Sequence, residues 1–250
     1  MFEGFTLTLD PKRVRDYDPW YYPAVVNGEP VKLGDGSQSS HDYLWQWQSY
    51  RDGILGDSLL AQLDLRGKSL RDYACNCGYW GLKAAARGLA SYTGIEGRQV
   101  FVDQARQLWS QNAPQSCNYR FIQGNVASPD MEHEPVDVSF CLGILYHLPE
   151  WQELLKKITT STSETIVLET RINPSHVQQY PGDLDFNRIT EVGLDAIPTP
   201  SLPEIYSILA EAGWGDVKLL VNQNKPSHLI PAGELFNKGY VGRAAILARK

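Results

Sequence analysis

A short turn of small and polar residues follows an apolar run in the first third of the chain. It reads Leu-Arg-Asp-Tyr-Ala-Cys-Asn-Cys-Gly over residues 70–78. In open α/β sheets, ligands bind at the carboxyl ends of the strands, where such a turn brings backbone N–H groups and a helix N-terminus close to a cofactor. Ala74 and Asn76 stand where glycines are commoner, but Ala is nearly as small as Gly and Asn tolerates a positive φ. The sequence therefore predicts a cofactor-binding turn that includes Asp72, Ala74, Asn76 and Gly78.

Two polar residues follow the next two apolar runs. Glu96 ends the second run, and its carboxylate is placed to accept both hydroxyls of a ribose. A solvated loop glutamate is the alternative, and the spacing from the turn favours ribose binding. Asn125 follows the third run, where its amide would address an adenine edge or would serve as a turn residue. Both interpretations of Asn125 stay open at this point.

The fourth apolar run continues into a segment that ends Leu-Tyr-His-Leu-Pro at residues 145–149. Cys141 and Gly143 close this strand, so we expect both beside the cofactor. Tyr146 and His147 come next, at the mouth of the site. The Tyr146 hydroxyl would orient a cofactor carboxylate or a substrate, whereas His147 is equally well explained as a catalytic base and as a hydrogen-bonded structural histidine.

The cysteines and histidines do not form a metal-binding pattern. Cys75 and Cys77 are spaced C-x-C with no second Cys/His pair at zinc-site spacing, so reduced thiols near a core are expected, and Cys141 fits that description best. The Pro-, Asp- and Asn-rich segment 171–200 carries a histidine and carboxylates without an i, i+4 helical pair, and we predict no metal. We expect this segment to cover the site and select the substrate. Its chemistry-bearing residues are His176, Asp183, Asp185 and Arg188.

The elements that position these residues alternate along the chain. We expect strands at 69–74, 91–96, 119–123, 136–142, 165–169, 216–222 and 242–249. Helices are expected at 41–55, 57–65, 80–89, 99–112, 149–160 and 202–212. Such alternation predicts βαβ units and a doubly wound α/β sheet whose last two strands form an antiparallel pair. Residues 1–66 would then form an N-terminal cap and residues 67–250 the catalytic domain, with 171–200 as an insertion.

Composition places the chain among ordinary globular proteins. It has 250 residues, 42% hydrophobic and 21% charged, with 23 basic and 29 acidic side chains and a net charge of −6. No apolar run approaches the roughly 20 residues of a membrane helix, and the first residues lack the pattern of a signal peptide. We therefore expect a cytoplasmic protein. The acidic balance argues weakly against a protein that binds nucleic acid through phosphate contacts.

The glycine turn, the acidic residue at 96 and the Leu-Tyr-His-Leu segment together resemble class I S-adenosylmethionine-dependent methyltransferases. The likeness extends from about Leu65 to the C-terminus. It implies S-adenosyl-L-methionine as cofactor and a Rossmann-like, seven-stranded, mostly parallel sheet with an antiparallel last strand.

A closer likeness is to the tRNA wobble-uridine carboxymethyltransferase family. It is carried by Trp-Gln-Trp at 45–47, Thr-Gly-Ile-Glu at 93–96, Gln-Val-Phe at 99–101, Gly-Ile-Leu-Tyr-His at 143–147, Val-Leu-Glu-Thr at 167–170, Pro-Gly-Asp at 181–183, Ile-Pro at 197–198, Gly-Trp-Gly-Asp-Val at 213–217 and Arg-Ala-Ala-Ile-Leu-Ala-Arg-Lys at 243–250. Members transfer a carboxymethyl group from carboxy-S-adenosyl-L-methionine.

The resemblance implies roles for particular residues. In that family a Lys, a Tyr and an Arg hold the extra carboxylate of the cofactor, and Lys32, Tyr146 and Arg243 are the positions here that look equivalent. An Arg that opens an apolar strand also suits bidentate carboxylate recognition. Gln46 stands where the family has a basic residue between two tryptophans. Because Trp45 and Trp47 cannot share one helix stripe, we expect one in the core and the other, Trp47, at the cofactor mouth.

Three functional hypotheses follow. The preferred one is methyl transfer from S-adenosylmethionine to a small-molecule or nucleoside-like acceptor. The second is carboxymethyl transfer from carboxy-S-adenosylmethionine to a nucleoside or tRNA; tRNA is possible but not favoured. The third is a non-catalytic adenosyl-binding protein on a transferase fold, motivated by Ala and Asn in the glycine turn.

Overall fold

The computed structural model describes residues 19–23, 25–26, 29–34, 36–128, 131, 133–172, 177–178, 197–198, 200–220 and 242–250. Its helices are α1 (Gln38–Leu55), α2 (Asp57–Leu60), α3 (Tyr79–Ala85), α4 (Gln99–Asn112), α5 (Trp151–Ser161) and α6 (Leu202–Glu211). Its strands are β1 (Val25–Val26), β2 (Glu29–Pro30), β3 (Ser69–Tyr73), β4 (Ser91–Glu96), β5 (Asn118–Gln123), β6 (Val136–Leu142), β7 (Thr162–Ile172), β8 (Val177–Gln178), β9 (Ile197–Pro198), β10 (Asp216–Leu220) and β11 (Gly242–Arg249). A 3₁₀ turn (Leu145–His147) follows β6.

Seven strands form the main sheet in the order β10-β11-β7-β6-β3-β4-β5. The pairs from β7 across to β5 are parallel, while β11 is antiparallel to both of its neighbours, β7 and β10. The chain winds outwards in both directions from the β3–β6 pair. That pair is the topological switch point, so the carboxyl ends of β3 and β6 open a crevice for a ligand. The predicted doubly wound, mostly parallel sheet is confirmed.

Alternating side chains build an apolar core on each face of the sheet. In β3, Leu70 belongs to the cluster on one face and Tyr73 to the cluster on the other. The first cluster also includes residues of helix α3 and the described residues ahead of α1, and the second includes residues of α5 and α6. Both faces are buried, and β6 (Val-Asp-Val-Ser-Phe-Cys-Leu) is mostly apolar, as strands of parallel sheets are, whereas β3 also buries the charged residues Arg71 and Asp72.

The N-terminal segment folds onto the first face of the sheet. Helix α1 begins after Ser37, whose side chain accepts a hydrogen bond from the Ser40 N–H, and ends at Gly56. Ahead of it, Trp20 is fully buried and forms an isolated bridge with Gly34. The Gly-Asp-Gly-Ser-Gln-Ser-Ser run at 34–40 thus contains the cap that starts the helix.

Several predicted boundaries were wrong. Helix α1 begins at Gln38 rather than at 41, because the Ser37 cap starts it earlier. Helix α2 is a single turn that ends at Leu60, since residues 61–65 form turns instead of continuing the apolar helical pattern. Strand β7 runs from Thr162 to Ile172 rather than from 165 to 169, and the expected insertion at 171–200 stays a prediction. Apart from β8, β9 and Pro200, the rest of that insertion lies outside the described residues.

Substituting Gly81 with alanine is expected to lower the free energy of unfolding by about 1–3 kcal/mol, the usual range for overpacking. A Cβ at this position in α3 would lie 2.1 Å from Cε2 of Tyr92, a buried ring stacked on Trp109. In an open helix the same change would stabilise by about 1 kcal/mol, so the sign of the effect tests the packing. Urea denaturation measures it. Gly215→Ala, where nothing lies within 4 Å of the added atom, should stay within about 0.5 kcal/mol of the wild type.

Candidate functional site

The turn after β3 has the backbone of a glycine-rich loop although it contains one glycine. Ala74, Asn76 and Gly78 have φ values of 56°, 52° and 71°. The left-handed region is costly for residues with a Cβ, by roughly 1–2 kcal/mol, and least so for Asn among them. Asn76 lowers that cost because its Oδ1 accepts a hydrogen bond from the Cys77 N–H at 2.8 Å. Ala74 is therefore small and also adopts the left-handed backbone that this strained position requires.

Glu96 connects this turn to the end of β4. Its Oε2 accepts a hydrogen bond from the Asn76 N–H at 3.0 Å, and its Oε1 accepts from Arg98 N and Nε at 3.0 and 3.1 Å. The side chain is only 4% exposed. A carboxylate oxygen has room for more than one donor, so both oxygens can still accept from a ribose. The structure thus brings Asn76 and Glu96 together, and adds Arg98, which sequence reasoning missed.

Asp72 lies under the turn rather than in it. Its Oδ2 accepts a hydrogen bond from the Tyr92 hydroxyl at 3.1 Å, and the residue is buried. Burial raises the pKa of the Asp72 carboxyl to about 7, and the Tyr92 hydrogen bond only partly opposes this. The side chain therefore supports the turn from the core side. Its predicted contact with a cofactor stays a prediction.

Asp72→Asn should flatten part of the pH dependence of stability. A carboxyl whose pKa is raised by folding stays protonated in the native state between about pH 4 and 7 while the unfolded chain releases its proton, so stability falls as pH rises through that window. The slope attributable to this group is about 1.4 kcal/mol per pH unit. We expect the stability of Asp72→Asn relative to wild type to rise from pH 4 to pH 7 and to stay level above it. Urea melts at a series of pH values measure the difference, and a constant difference would contradict the buried, protonated carboxyl.

The end of β6 forms the second wall of the crevice between β3 and β6. Gly143 has a φ of 96°, which favours glycine, and its N–H donates to the Glu169 carbonyl oxygen at 2.7 Å. The rings of Tyr146 and His147 lie 4.0 Å apart in the 3₁₀ turn, with Tyr146 buried and His147 half-buried. Cys141 is fully buried in the core, so only its backbone can line a ligand.

Arginine residues missed by sequence reasoning surround this wall. The Arg171 guanidinium carbon lies 4.8 Å from the centre of the Tyr146 ring. Arg51 of α1 donates to the Tyr22 hydroxyl at 2.8 Å and to the Leu142 carbonyl at 3.3 Å. The sequence contains a signal for each arginine. Arg171 lies at the carboxyl end of a strand, and Arg51 follows Trp47 by one helical turn.

Arg51 is also half of a buried ion pair. Its Nη2 lies 3.2 Å from Oε2 of Glu169, with the two side chains 6% and 5% exposed. Its guanidinium lies 5.6 Å from the centre of the Trp80 ring, at the start of α3. Together with the Leu142 contact, this arrangement anchors the N-terminal helix to the carboxyl edge of the sheet, where the site is.

Asn125 occupies a turn. Its Oδ1 accepts a hydrogen bond from the Ala127 N–H at 2.9 Å, and its carbonyl oxygen accepts from the Ser128 N–H. This supports the turn interpretation that the sequence left open. The side-chain nitrogen is then the group that could address an adenine edge.

The structure describes the other predicted site residues only in part. Trp47 and Trp45 are both half-buried on α1, and it is Trp45 that packs against the core. Lys32 is exposed after β2. Arg243 lies opposite Arg171 in the β7–β11 ladder, and its side chain is outside the described residues. His176, Asp183, Asp185 and Arg188 are also outside them, although the backbone of β9 lies beside the 3₁₀ turn.

All four cysteines are free and buried. Burial raises the pKa of the Cys77 thiol to about 12 and that of Cys75 well above its usual value. Within the described part of the chain, no three His, Cys, Asp or Glu side chains are grouped as a metal site would need. The described helices include none that is long and apolar enough to cross a membrane.

Comparison with known proteins points to one family. Residues 71–164 match the family described as a methyltransferase domain. The tRNA U34 carboxymethyltransferase of Nautilia profundicola is 22% identical over 188 residues, which cover 70% of this chain and 56% of that protein. This chain spans about half the length of the curated relatives that it matches.

Solved structures share the fold. The N-terminal domain of EvdMO1 with SAH bound has a TM-score of 0.63 at 16% identity, covering 98% of this chain and 99% of that one. Magnesium protoporphyrin IX methyltransferase from Synechocystis PCC 6803 with bound SAH has a TM-score of 0.57 at 16% identity, covering 87% and 89%. The matched segment begins within β3 and contains the turn, Glu96 and the 3₁₀ turn. Residues 71–164 of this chain therefore match a methyltransferase domain in sequence, and the chain shares the fold of methyltransferases solved with SAH bound.

Proposed function

We propose that the protein transfers a methyl group from S-adenosylmethionine to a small-molecule or nucleoside-like acceptor. The observation that carries the proposal is the left-handed turn at Ala74, Asn76 and Gly78 held by the buried Glu96 carboxylate. An acceptor-only carboxylate at the end of the second parallel strand, beside this left-handed turn, suits a nucleoside with two ribose hydroxyls.

The cofactor would lie across the β3–β6 crevice. In this arrangement Glu96 accepts the ribose hydroxyls, and the 74–78 turn faces the amino-acid end. The Asn125 side-chain nitrogen is available to an adenine edge. Residues 141–143 line the other side through their backbone. All of these positions lie at the carboxyl ends of neighbouring strands, which is why residues distant in sequence form one site.

Catalysis at this site is mainly a matter of alignment. S-adenosylmethionine, when bound, supplies an activated methyl group on a sulfonium that leaves without protonation. The chain has to hold an acceptor atom in line with that methyl group and exclude water. Tyr146 orients the acceptor, and His147 takes its proton when the nucleophile is an O–H or N–H. The Arg51–Glu169 pair fixes helix α1 as the wall of the acceptor pocket.

A second candidate, carboxymethyl transfer from carboxy-S-adenosylmethionine, is favoured by one observation. Arg171 and Arg243 are register partners at the end of the β7–β11 ladder, and Arg171 lies over Tyr146. An arginine over the tyrosine ring would suit an additional carboxylate. The curated relatives are named as tRNA U34 carboxymethyltransferases, whereas Gln46 and the net charge of −6 favour the plain methyl donor and disfavour tRNA as acceptor. We place either reaction in the cytoplasm.

Mass spectrometry of the small molecule that co-purifies with the full chain tests the proposal, together with calorimetric titration of both donors. S-adenosylmethionine or S-adenosylhomocysteine as the bound species supports methyl transfer. Preference for the carboxylated donor, lost selectively in Arg243→Ala, would establish the second candidate. Equal loss of both donors in that variant would remove it. Binding of neither donor would leave a non-catalytic protein on this fold.

A further inference from the structure

A row of polar side chains crosses the sheet on the face opposite helix α3. Register pairs place Arg120 of β5 beside Thr93 of β4, Thr93 beside Arg71 of β3, and Arg71 beside Ser139 of β6. In parallel strands, register partners lie on the same face. Arg120 Nε donates to Thr93 Oγ1 at 3.1 Å, which confirms the shared face for that pair. Arg71 and Arg120 therefore lie in one row on this face, Arg71 buried and Arg120 exposed on the edge strand.

Arg71 is the unusual member of this row. The residue is 2% exposed, yet its Nε and Nη1 donate no hydrogen bond. A guanidinium has only donors and stays charged at any physiological pH. A buried charge without a partner is costly, and native proteins pair such groups or place them against an anion.

Among the residues that the structure describes, the groups near Arg71 are donors or already accept hydrogen bonds. The Tyr73 hydroxyl and Nδ1 of His133 lie 3.2 Å apart and the two rings stack, while Nε2 of His133 is buried without a partner. When Tyr73 donates to Nδ1, the neutral imidazole carries its proton on Nε2 and offers another donor. Burial lowers the pKa of His133 to about 4, and the nearby charges of Arg71 and of Lys157 on α5 lower it in the same direction.

Acceptors in this region already have donors. The last turn of α5 would be a natural partner for a cation. Its carbonyls at Lys157, Ile158 and Thr159 accept hydrogen bonds from Ser161, Thr162 and Trp214. The two described carboxylates are also engaged, since Glu134 pairs with Arg120 at the surface and Asp137 accepts from Ser69 and Ser163.

From this arrangement we propose that Arg71, with His133 and Tyr73, binds a small oxyanion of the phosphate or carboxylate class at a site separate from the cofactor crevice. The planar fork of Arg71 would contact two oxygens of such an anion, and Nε2–H of His133 a third. Asp72, the next residue, points to the opposite face, so the site and the cofactor turn lie on different sides of β3. The inference does not depend on the proposed function.

Inorganic phosphate is the probe for the test. Thermal unfolding of the full chain is followed with increasing sodium phosphate, against sodium chloride at matched ionic strength. An anion that binds the folded state stabilises it by RT ln(1 + L/Kd), where L is the anion concentration, so Tm rises as that concentration increases. We expect phosphate to raise Tm beyond the chloride control, and Arg71→Met to weaken phosphate affinity about tenfold or more. Arg106→Met, at an exposed ion pair on α4, is the matched control and should keep the response.

Three further measurements distinguish the proposed anion site from other causes of a phosphate response. Arg71→Lys keeps the charge without the fork and should bind phosphate with intermediate affinity, which also guards against misfolding of Arg71→Met. Saturating S-adenosylhomocysteine should leave the phosphate response intact; its loss would place the anion in the cofactor crevice and overturn the proposal. The proposal also fails if phosphate acts no differently from chloride. The proposal fails as well if phosphate does not raise the Tm of the wild type but raises that of the Asp130→Asn/Glu132→Gln variant. In that case a carboxylate of the chain itself would occupy the anion site.

Discussion

Glu96→Gln is expected to weaken the binding of S-adenosylhomocysteine about a hundredfold. The carboxylate accepts three hydrogen bonds from Asn76 and Arg98 within the protein, and in our proposal it also accepts two from the ribose. An amide has one acceptor oxygen, so its NH₂ group would face a donor whichever way it turned. Loss of two charge-assisted hydrogen bonds at about 1.5 kcal/mol each corresponds to roughly a hundredfold in Kd.

Isothermal titration calorimetry of the folded variant measures this loss. Glu153→Gln, which changes an exposed carboxylate on α5 that pairs with Lys156, is the matched control and should bind like the wild type. Far-UV circular dichroism checks that the variant keeps its secondary structure. Unchanged affinity in Glu96→Gln would show that the ribose is held elsewhere, and the proposed cofactor placement would have to be abandoned.

The second large effect concerns the buried ion pair between α1 and β7. Arg51→Met should lower the free energy of unfolding by about 3 kcal/mol, because it leaves the Glu169 carboxylate buried without its cation. The variant also loses the hydrogen bonds of Arg51 to Tyr22 and Leu142. Since these contacts anchor the N-terminal helix at the site, we expect weaker acceptor binding in the same variant.

A double-mutant cycle isolates the pair. Arg51→Met/Glu169→Gln should be less destabilised than the sum of its single variants, because the double change removes the uncompensated charge. Urea denaturation gives the four free energies. Arg106→Met, which breaks an exposed pair with Asp103, should change stability by less than about 1 kcal/mol. Strict additivity of Arg51→Met and Glu169→Gln would mean that the two groups do not interact.

Much of the catalytic half could be predicted from periodicity and turn chemistry. The bounds predicted for β4, α4, β6 and β11 agree with the structure at both ends. These segments are bordered by turn residues and bury a clear apolar face, so local pattern and tertiary environment agree. The prediction failed where local pattern and tertiary environment differ. The apolar run after Asp57 has the pattern of a longer helix, but the helix ends at Leu60, and Leu63 and Leu65 are buried outside it.

Within the site, residues close to a strand end could be predicted and their partners could not. Ala74, Asn76, Gly78 and Glu96 follow from the βα turn and from spacing, because the carboxyl ends of parallel strands must meet. The buried contacts of Arg51 join residues separated by 29 to 91 positions along the chain, and no local pattern encodes such pairs. The sequence also suggested that Ala74 serves by its size, whereas the structure shows a left-handed backbone there.

The sequence by itself determined the alternation of strands and helices, the turn of small residues after the first parallel strand and the acidic residue at the end of the second. These depend on side-chain period and on residues within one turn of each other, which are local properties. Only the tertiary structure decided that Asp72 is buried under the turn with a raised pKa, that Arg51 and Glu169 join the cap to the sheet, and that Arg71 lies buried without a hydrogen-bond partner for two of its nitrogens. Burial, desolvation and charge pairing arise from distant segments that meet in space, and a single sequence does not state which segments those are.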